Sequence, residues 1–78
     1  MEKKITVYST ATCPYCAMVK NFLKDNNINF ENKDVGQDHQ AAREMVEKSG
    51  QMGVPVVDID GEFIVGFNKP AIVKALGL

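Results

Sequence analysis

The sequence predicts an α/β fold built on a mixed four-stranded sheet, and three observations carry that expectation. The start "KITVYS" alternates apolar and polar side chains with β-branched residues and passes directly into a segment of helical periodicity, the opening of a βαβ unit. Asp60-Gly61 lies between two β-branched runs, which is the turn chemistry of a hairpin. A last short helical pattern follows that hairpin. The order is therefore β-α-β-α-β-β-α.

Each element has a local reason. Residues 5–8 form the first strand by alternation and β-branching. From Pro14 to about Asn26, Cys16, Val19, Phe22 and Leu23 recur at helical spacing, Pro14 suits a first-turn position, and Asn26 or Asn27 can adopt the left-handed closing conformation. "INFENKDV" reads as a second strand near residues 29–34, with Ile28, Phe30 and Val35 less regularly patterned. Asp38 caps a helix that runs through Ser49, with Ala42, Met45 and Val46 inward and Gly50 closing it. Residues 56–59 and 62–65 make the hairpin around a two-residue type I′ turn. Asn68 then caps a helix over residues 70–76 that buries Ile72, Val73 and Leu76.

The first βαβ should be a right-handed parallel unit, and the hairpin adds two antiparallel strands, with helices on both faces. That topology is the thioredoxin-like arrangement. At 78 residues the chain is expected to form one domain, residues 1–78, and so small a domain buries only about 60 to 65% of its unfolded surface. A composition 45% hydrophobic and 24% charged is that of an ordinary globular protein, not a disordered one. The net charge of -1, with Lys and Arg scattered, offers no basic stripe for a phosphate backbone, so nucleic acid is excluded as a partner. "MEKKITVYST" lacks the apolar stretch of a signal peptide, and no run is long enough for a membrane span. A cytoplasmic location is expected.

The chemistry concentrates in "STATCPYCAMVKNFL", which holds both cysteines of the chain, Cys13 and Cys16. As a staple, a disulfide across so short a loop would remove little unfolded-state entropy, roughly 2 kcal/mol. As a zinc site the pair needs two more ligands, and the sequence has one histidine, His39, and no further cysteine. No metal is expected, and His39 reads as a solvated first-turn residue. As a reagent the pair is well placed. Cys13 opens a helix, where unpaired N–H groups of Tyr15 and Cys16 and the positive end of the dipole favour a thiolate. The dipole supplies around 0.3 to 2 kcal/mol, at most one to two pKa units, and hydrogen bonds would supply the rest. Cys16, one turn on and part of the apolar series, keeps a higher pKa and acts second. Tyr15 sits beside any disulfide that docks, Met18 and Met52 could flank it as adaptable apolar contacts, and Tyr8 reads as packing.

"VYSTATCPYC", then "GVPVV", then a glycine-phenylalanine before the last helix resemble a glutaredoxin of the dithiol CPYC type over essentially the whole chain. The resemblance implies thiol-disulfide exchange with glutathione as co-substrate, disulfide-containing proteins as substrates, a reductase system as partner, and a monomer. It implies a cis-proline at Pro55, with the peptide groups of Val54 pairing the cysteinyl part of glutathione. Gly66, Phe67 and Asn68 would take the γ-glutamyl end. The lysine that the family commonly places three residues before the first cysteine is Thr10 here, so Thr10, Tyr15, Gln51 or backbone donors would meet the glycine carboxylate. Asn68 can cap a helix but carries no charge for the γ-glutamyl ammonium. The same segment also resembles the glutaredoxin-like redoxins that thioredoxin reductase reduces and that serve ribonucleotide reductase. A third family role, an iron-sulfur cluster scaffold held through Cys13, belongs to members that mostly have one cysteine or replace the proline.

Overall fold

We analysed a computed structural model of the chain, which describes residues 4–51 and 53–77. Met52, expected to flank the cysteines, lies outside the described residues. The element order is β1 (Ile5–Ser9), α1 (Pro14–Asp25), β2 (Glu31–Asp34), α2 (His39–Ser49), β3 (Val56–Ile59), β4 (Glu62–Val65) and α3 (Lys69–Leu76). This is the thioredoxin-like fold read from the sequence. The sheet order is β2-β1-β3-β4, with β1 parallel to β2 and antiparallel to β3, and β3 antiparallel to β4.

The two faces of the sheet are covered differently. Val19 and Leu23 of α1 and Ile72 of α3 pack with Ile5, Val7, Val57, Ile59 and Ile64 on one face. Ala41 and Met45 of α2 pack with Tyr8 and Val56 on the other. Alternation along β1 explains the split, since successive side chains of a strand point to opposite faces. The strand is nonetheless buried along its whole length, Thr6 and Ser9 included, because it is central and covered on both sides.

Local chemistry accounts for the boundaries. Asp38 Oδ1 accepts the Ala41 N–H at 3.1 Å, and Gly50 closes α2 in the left-handed region, its N–H donating to the Val46 carbonyl at 2.9 Å. Of Asn26 and Asn27, it is Asn27 that turns left-handed. At the hairpin both Asp60 and Gly61 have positive φ, as a type I′ turn requires, and Asp58 Oδ1 accepts the Gly61 N–H at 2.8 Å.

Three expectations are corrected. The second strand begins at Glu31, two residues later than its sequence pattern suggests, because parallel pairing to Thr6–Ser9 of β1 defines it rather than the apolar Ile28 and Phe30. On α2 the inward residues are Ala41 and Met45, while Ala42 is only half-buried and Val46 is exposed. On α3, Ile72 is fully buried, whereas Val73 and Leu76 are half-covered at the rim.

Candidate functional site

Residues 10–12 carry the chain from β1 to Cys13, which is the N-cap of α1. Its backbone is extended (φ −92°, ψ 111°), and its N–H donates to the Thr10 carbonyl at 3.4 Å. Its Sγ accepts the Cys16 N–H at 3.1 Å. Sulfur here does what a serine or aspartate oxygen does at an ordinary cap, and the donor it meets is the third residue of the helix. Among the described residues Tyr15 N–H makes no such bond, so one of the two expected donors is realised. Pro14 occupies the first helical position, where a missing N–H costs nothing.

The two thiols are not joined, and their surroundings differ. Cys13 is half-buried, and its thiol lies 3.9 Å from the Val54 carbonyl, a long contact in which sulfur donates. Cys16 is fully buried. Burial first, and then the hydrogen bond with Cys13, push the Cys16 thiol up to about 11, while the Thr10 backbone and the Lys20 ammonium pull in the opposite direction.

The Val54–Pro55 peptide is cis, and the Pro55 carbonyl accepts the Gly66 N–H at 2.8 Å. Gly66 has φ +77°, a conformation that favours glycine, and this lets the chain leave β4 and run alongside Pro55. Phe67 follows, its ring 6.2 Å from that of Phe22 on α1 and tilted by 60°. Asn68 Oδ1 then caps α3 by accepting the Ala71 N–H at 3.3 Å. A continuous line of contacts thus joins Cys13 to Val54, Pro55, Gly66, Phe67 and Asn68.

The remaining sequence candidates fall on either side of that line. Tyr15 stands 60% exposed on the first turn of α1, with Met18 also exposed one turn on. Thr10 touches the cluster through its carbonyl. Gln51 is exposed, and its N–H donates to Ser49 Oγ at 3.2 Å in the turn after α2; among the described residues no bond ties it to the cysteines. His39 is exposed at the start of α2.

Two features escaped the sequence reading. Lys20 influences Cys16 across one helical turn; its spacing of four from that cysteine is the signal that could have found it. Tyr8 does more than pack, since its hydroxyl donates to Glu44 Oε1 at 2.9 Å. A shallow depression lined by Gln40, Arg43, Glu44 and Glu47 lies on α2, across the sheet from the cysteines. No helix among the described residues is long and apolar enough to cross a membrane.

Comparison with known proteins bears directly on this arrangement. Residues 5–64 match the family model for glutaredoxin. The chain is 49% identical over 72 residues to an uncharacterized glutaredoxin-like 8.6 kDa protein in the rubredoxin operon of Clostridium pasteurianum, covering 92% of this chain and 96% of that one. It is 31% identical to glutaredoxin 3 of Escherichia coli strain K12, over 94% of this chain and 88% of the relative. The crystal structure of a thioredoxin-like protein superposes with a TM-score of 0.89 at 38% identity, covering 94% of this chain and all of that one (100%). The likeness spans the cysteine helix, the cis-proline turn and the whole sheet, so the chain belongs to the glutaredoxin family of the thioredoxin superfamily and is a thiol-disulfide oxidoreductase of that type.

Proposed function

We propose that the chain reduces protein disulfides and glutathione mixed disulfides with electrons from glutathione, Cys13 attacking and Cys16 resolving. The observation that carries this assignment of roles is the asymmetry of the two sulfurs. Cys13 caps the helix, half-open beside Val54, whereas Cys16 lies behind it, buried and held protonated. A thiolate, not a thiol, is the nucleophile, so the sulfur at the helix start is the one suited to go first.

In the first step the Cys13 thiolate attacks one sulfur of the substrate disulfide; a Cys13–sulfur bond forms, the substrate bond breaks, and a thiolate leaves with the electron pair. In the dithiol route Cys16 then displaces the second substrate sulfur and the enzyme is left as the Cys13–Cys16 disulfide. In the monothiol route the sulfur left on Cys13 is that of glutathione, and the thiolate of a second glutathione attacks it: the bond of oxidised glutathione forms, the bond to Cys13 breaks, and Cys13 leaves as the thiolate.

The fit to glutathione runs along the contact line. The Val54 peptide would pair with the cysteinyl backbone, and Pro55 would hold that peptide in place. Gly66 N–H is already committed to Pro55, so the γ-glutamyl carboxylate would meet the donors beyond it, at Phe67 and Asn68. Thr10, Tyr15 or Gln51 would serve the glycine carboxylate. We read residues 1–78 as one domain that acts in the cytoplasm as a monomer, with no metal.

A second reading draws on one observation. The first turn of α3 has no acidic residue, and Lys69 follows Asn68, so the γ-glutamyl ammonium finds no carboxylate there. That favours a redoxin fed by thioredoxin reductase and serving ribonucleotide reductase. Supplying the oxidised protein with NADPH and either glutathione plus its reductase or thioredoxin reductase separates the two. Turnover with the glutathione couple is expected, and turnover only with thioredoxin reductase would transfer the protein to the second reading. Cys13→Ser should abolish all reduction, while Cys16→Ser should retain removal of glutathione from mixed disulfides and lose reduction of protein disulfides. Loss of both activities in Cys16→Ser would overturn the roles.

A further inference from the structure

We propose that Lys20 is a positioning residue for the second half of the reaction: its ammonium stabilises the negative charge that the buried Cys16 sulfur must take on as it attacks the mixed disulfide at Cys13. The proposal rests on the reading of Cys16 as the resolving thiol.

Geometry places the two together. Cys16 and Lys20 are four residues apart on α1, the spacing that puts two side chains on one side of a helix, with Cβ atoms about 5 to 6 Å apart in an ordinary helix. Lys20 is half-buried although Ala17, Met18 and Asn21 around it are exposed, so its stem lies along the protein surface rather than out in solvent. Among the described residues its charge has no counterion. The ion pairs there join Lys33 and Lys48 to Glu44, Lys69 lies 5.4 Å over the Phe22 ring, and no described carboxylate is within ion-pair reach of Lys20.

Among the described residues, few groups act on Cys16. They are the Cys13 thiol, the Thr10 backbone and Lys20, and the first turn of α1 holds no acidic residue. Once Cys13 is tied up in a mixed disulfide, the Thr10 backbone and Lys20 remain to favour a Cys16 thiolate. The step then runs as follows. Cys16 gives its proton to water, its thiolate attacks Cys13 Sγ, the Cys13–Cys16 bond forms, and the bond from Cys13 to the substrate sulfur breaks. The substrate leaves as a thiolate with the electron pair and takes up a proton, so the protein dithiol is oxidised as the substrate is reduced.

The expected size follows from opposing effects. If loss of the charge raises the Cys16 pKa by about one unit, the thiolate fraction at neutral pH falls about tenfold. The remaining thiolate becomes about threefold more nucleophilic, so the net loss in rate is about threefold.

A chromogenic aromatic disulfide that releases one coloured thiolate at each step resolves the two events in a single stopped-flow trace. With the full reduced protein, Lys20→Gln should slow the second phase about threefold relative to the first, and Lys20→Arg should restore it, since the charge and not the packing is at issue. The proposal is overturned if Lys20→Gln leaves the second phase unchanged or faster, if both phases slow alike, or if Lys20→Arg slows it as much as Lys20→Gln. Cys16→Ser serves as the control: a second phase that persists there defeats the resolving role itself, a result distinct from failure of the Lys20 proposal.

Discussion

Tyr8 and Cys16 are both buried acids, one on each face of the same sheet, and burial raises the pKa of each. On the α2 face the Tyr8 hydroxyl donates to Glu44 Oε1 at 2.9 Å, and the same oxygen receives Lys48 Nζ at 3.3 Å and Lys33 Nζ at 3.6 Å. Lys33 also sits 5.8 Å from the Tyr8 ring centroid. The Tyr8 bond first, and then that of Lys48, hold the Glu44 carboxyl below the usual carboxylate range. There the acid is matched by an acceptor and the acceptor by cations, and nothing is left over to react. On the α1 face Cys16 has a second thiol for a partner and Lys20, a cation without a counterion among the described residues. The same burial therefore closes one site chemically and leaves the other able to change charge.

The comparison can be broken at three places, taken in order of expected effect. Leu23→Ala removes a fully buried side chain from the apolar α1 face, where no polar network can take up the loss, and should lower unfolding free energy in urea by about 2 to 5 kcal/mol. A loss below about 1 kcal/mol would show that this face collapses around the cavity. Raising the pH should weaken the fold next. Because folding raises the Cys16 pKa, its contribution is fully present below the ordinary thiol range and is lost as pH rises towards and through about 11. Between pH 7 and pH 10 this amounts to about 1 to 1.5 kcal/mol, and Cys16→Ala should flatten that part of the curve. Tyr8 adds a loss of the same sign at higher pH. Tyr8→Phe is the smallest change: it removes one hydrogen bond from a half-exposed carboxylate that keeps two lysines, and should cost about 0.5 to 1.5 kcal/mol by thermal or urea melts while leaving disulfide reduction within about twofold of the wild type. A large loss of activity in Tyr8→Phe would mean that the two faces are coupled.

Local signals in the sequence located most of the elements because they require no partner. Pro14 after Cys13, Asp38 before Ala41, Asp60-Gly61 and Asn68 act on their own backbone, and each is found where its chemistry puts it. The spacing of the cysteines at a helix start was legible in the same way, as was the apolar face of α1. The rotation of α2 was not. Its apolar residues Ala41, Ala42, Met45 and Val46 form a broad stripe, and the sequence does not say which edge of it faces the sheet. In the structure Ala41 and Met45 lie inward against Tyr8 and Val56, Val46 lies outward, and Glu44 of the same helix accepts the hydroxyl of Tyr8, 36 residues away in the chain.

The sequence by itself determined the order of the elements, the caps and turns that bound them, and the pair of thiols placed at a helix start. Those follow from interactions over a few residues, which the chain encodes locally. The tertiary structure decided what each thiol experiences. Cys13 meets the Val54 carbonyl from 41 residues on, the Gly66 N–H fastens its strand end to Pro55, and folding buries Cys16 completely, which pushes its thiol up to about 11. Burial and long-range contact set the energy of a charge, and neither exists until the strands have come together.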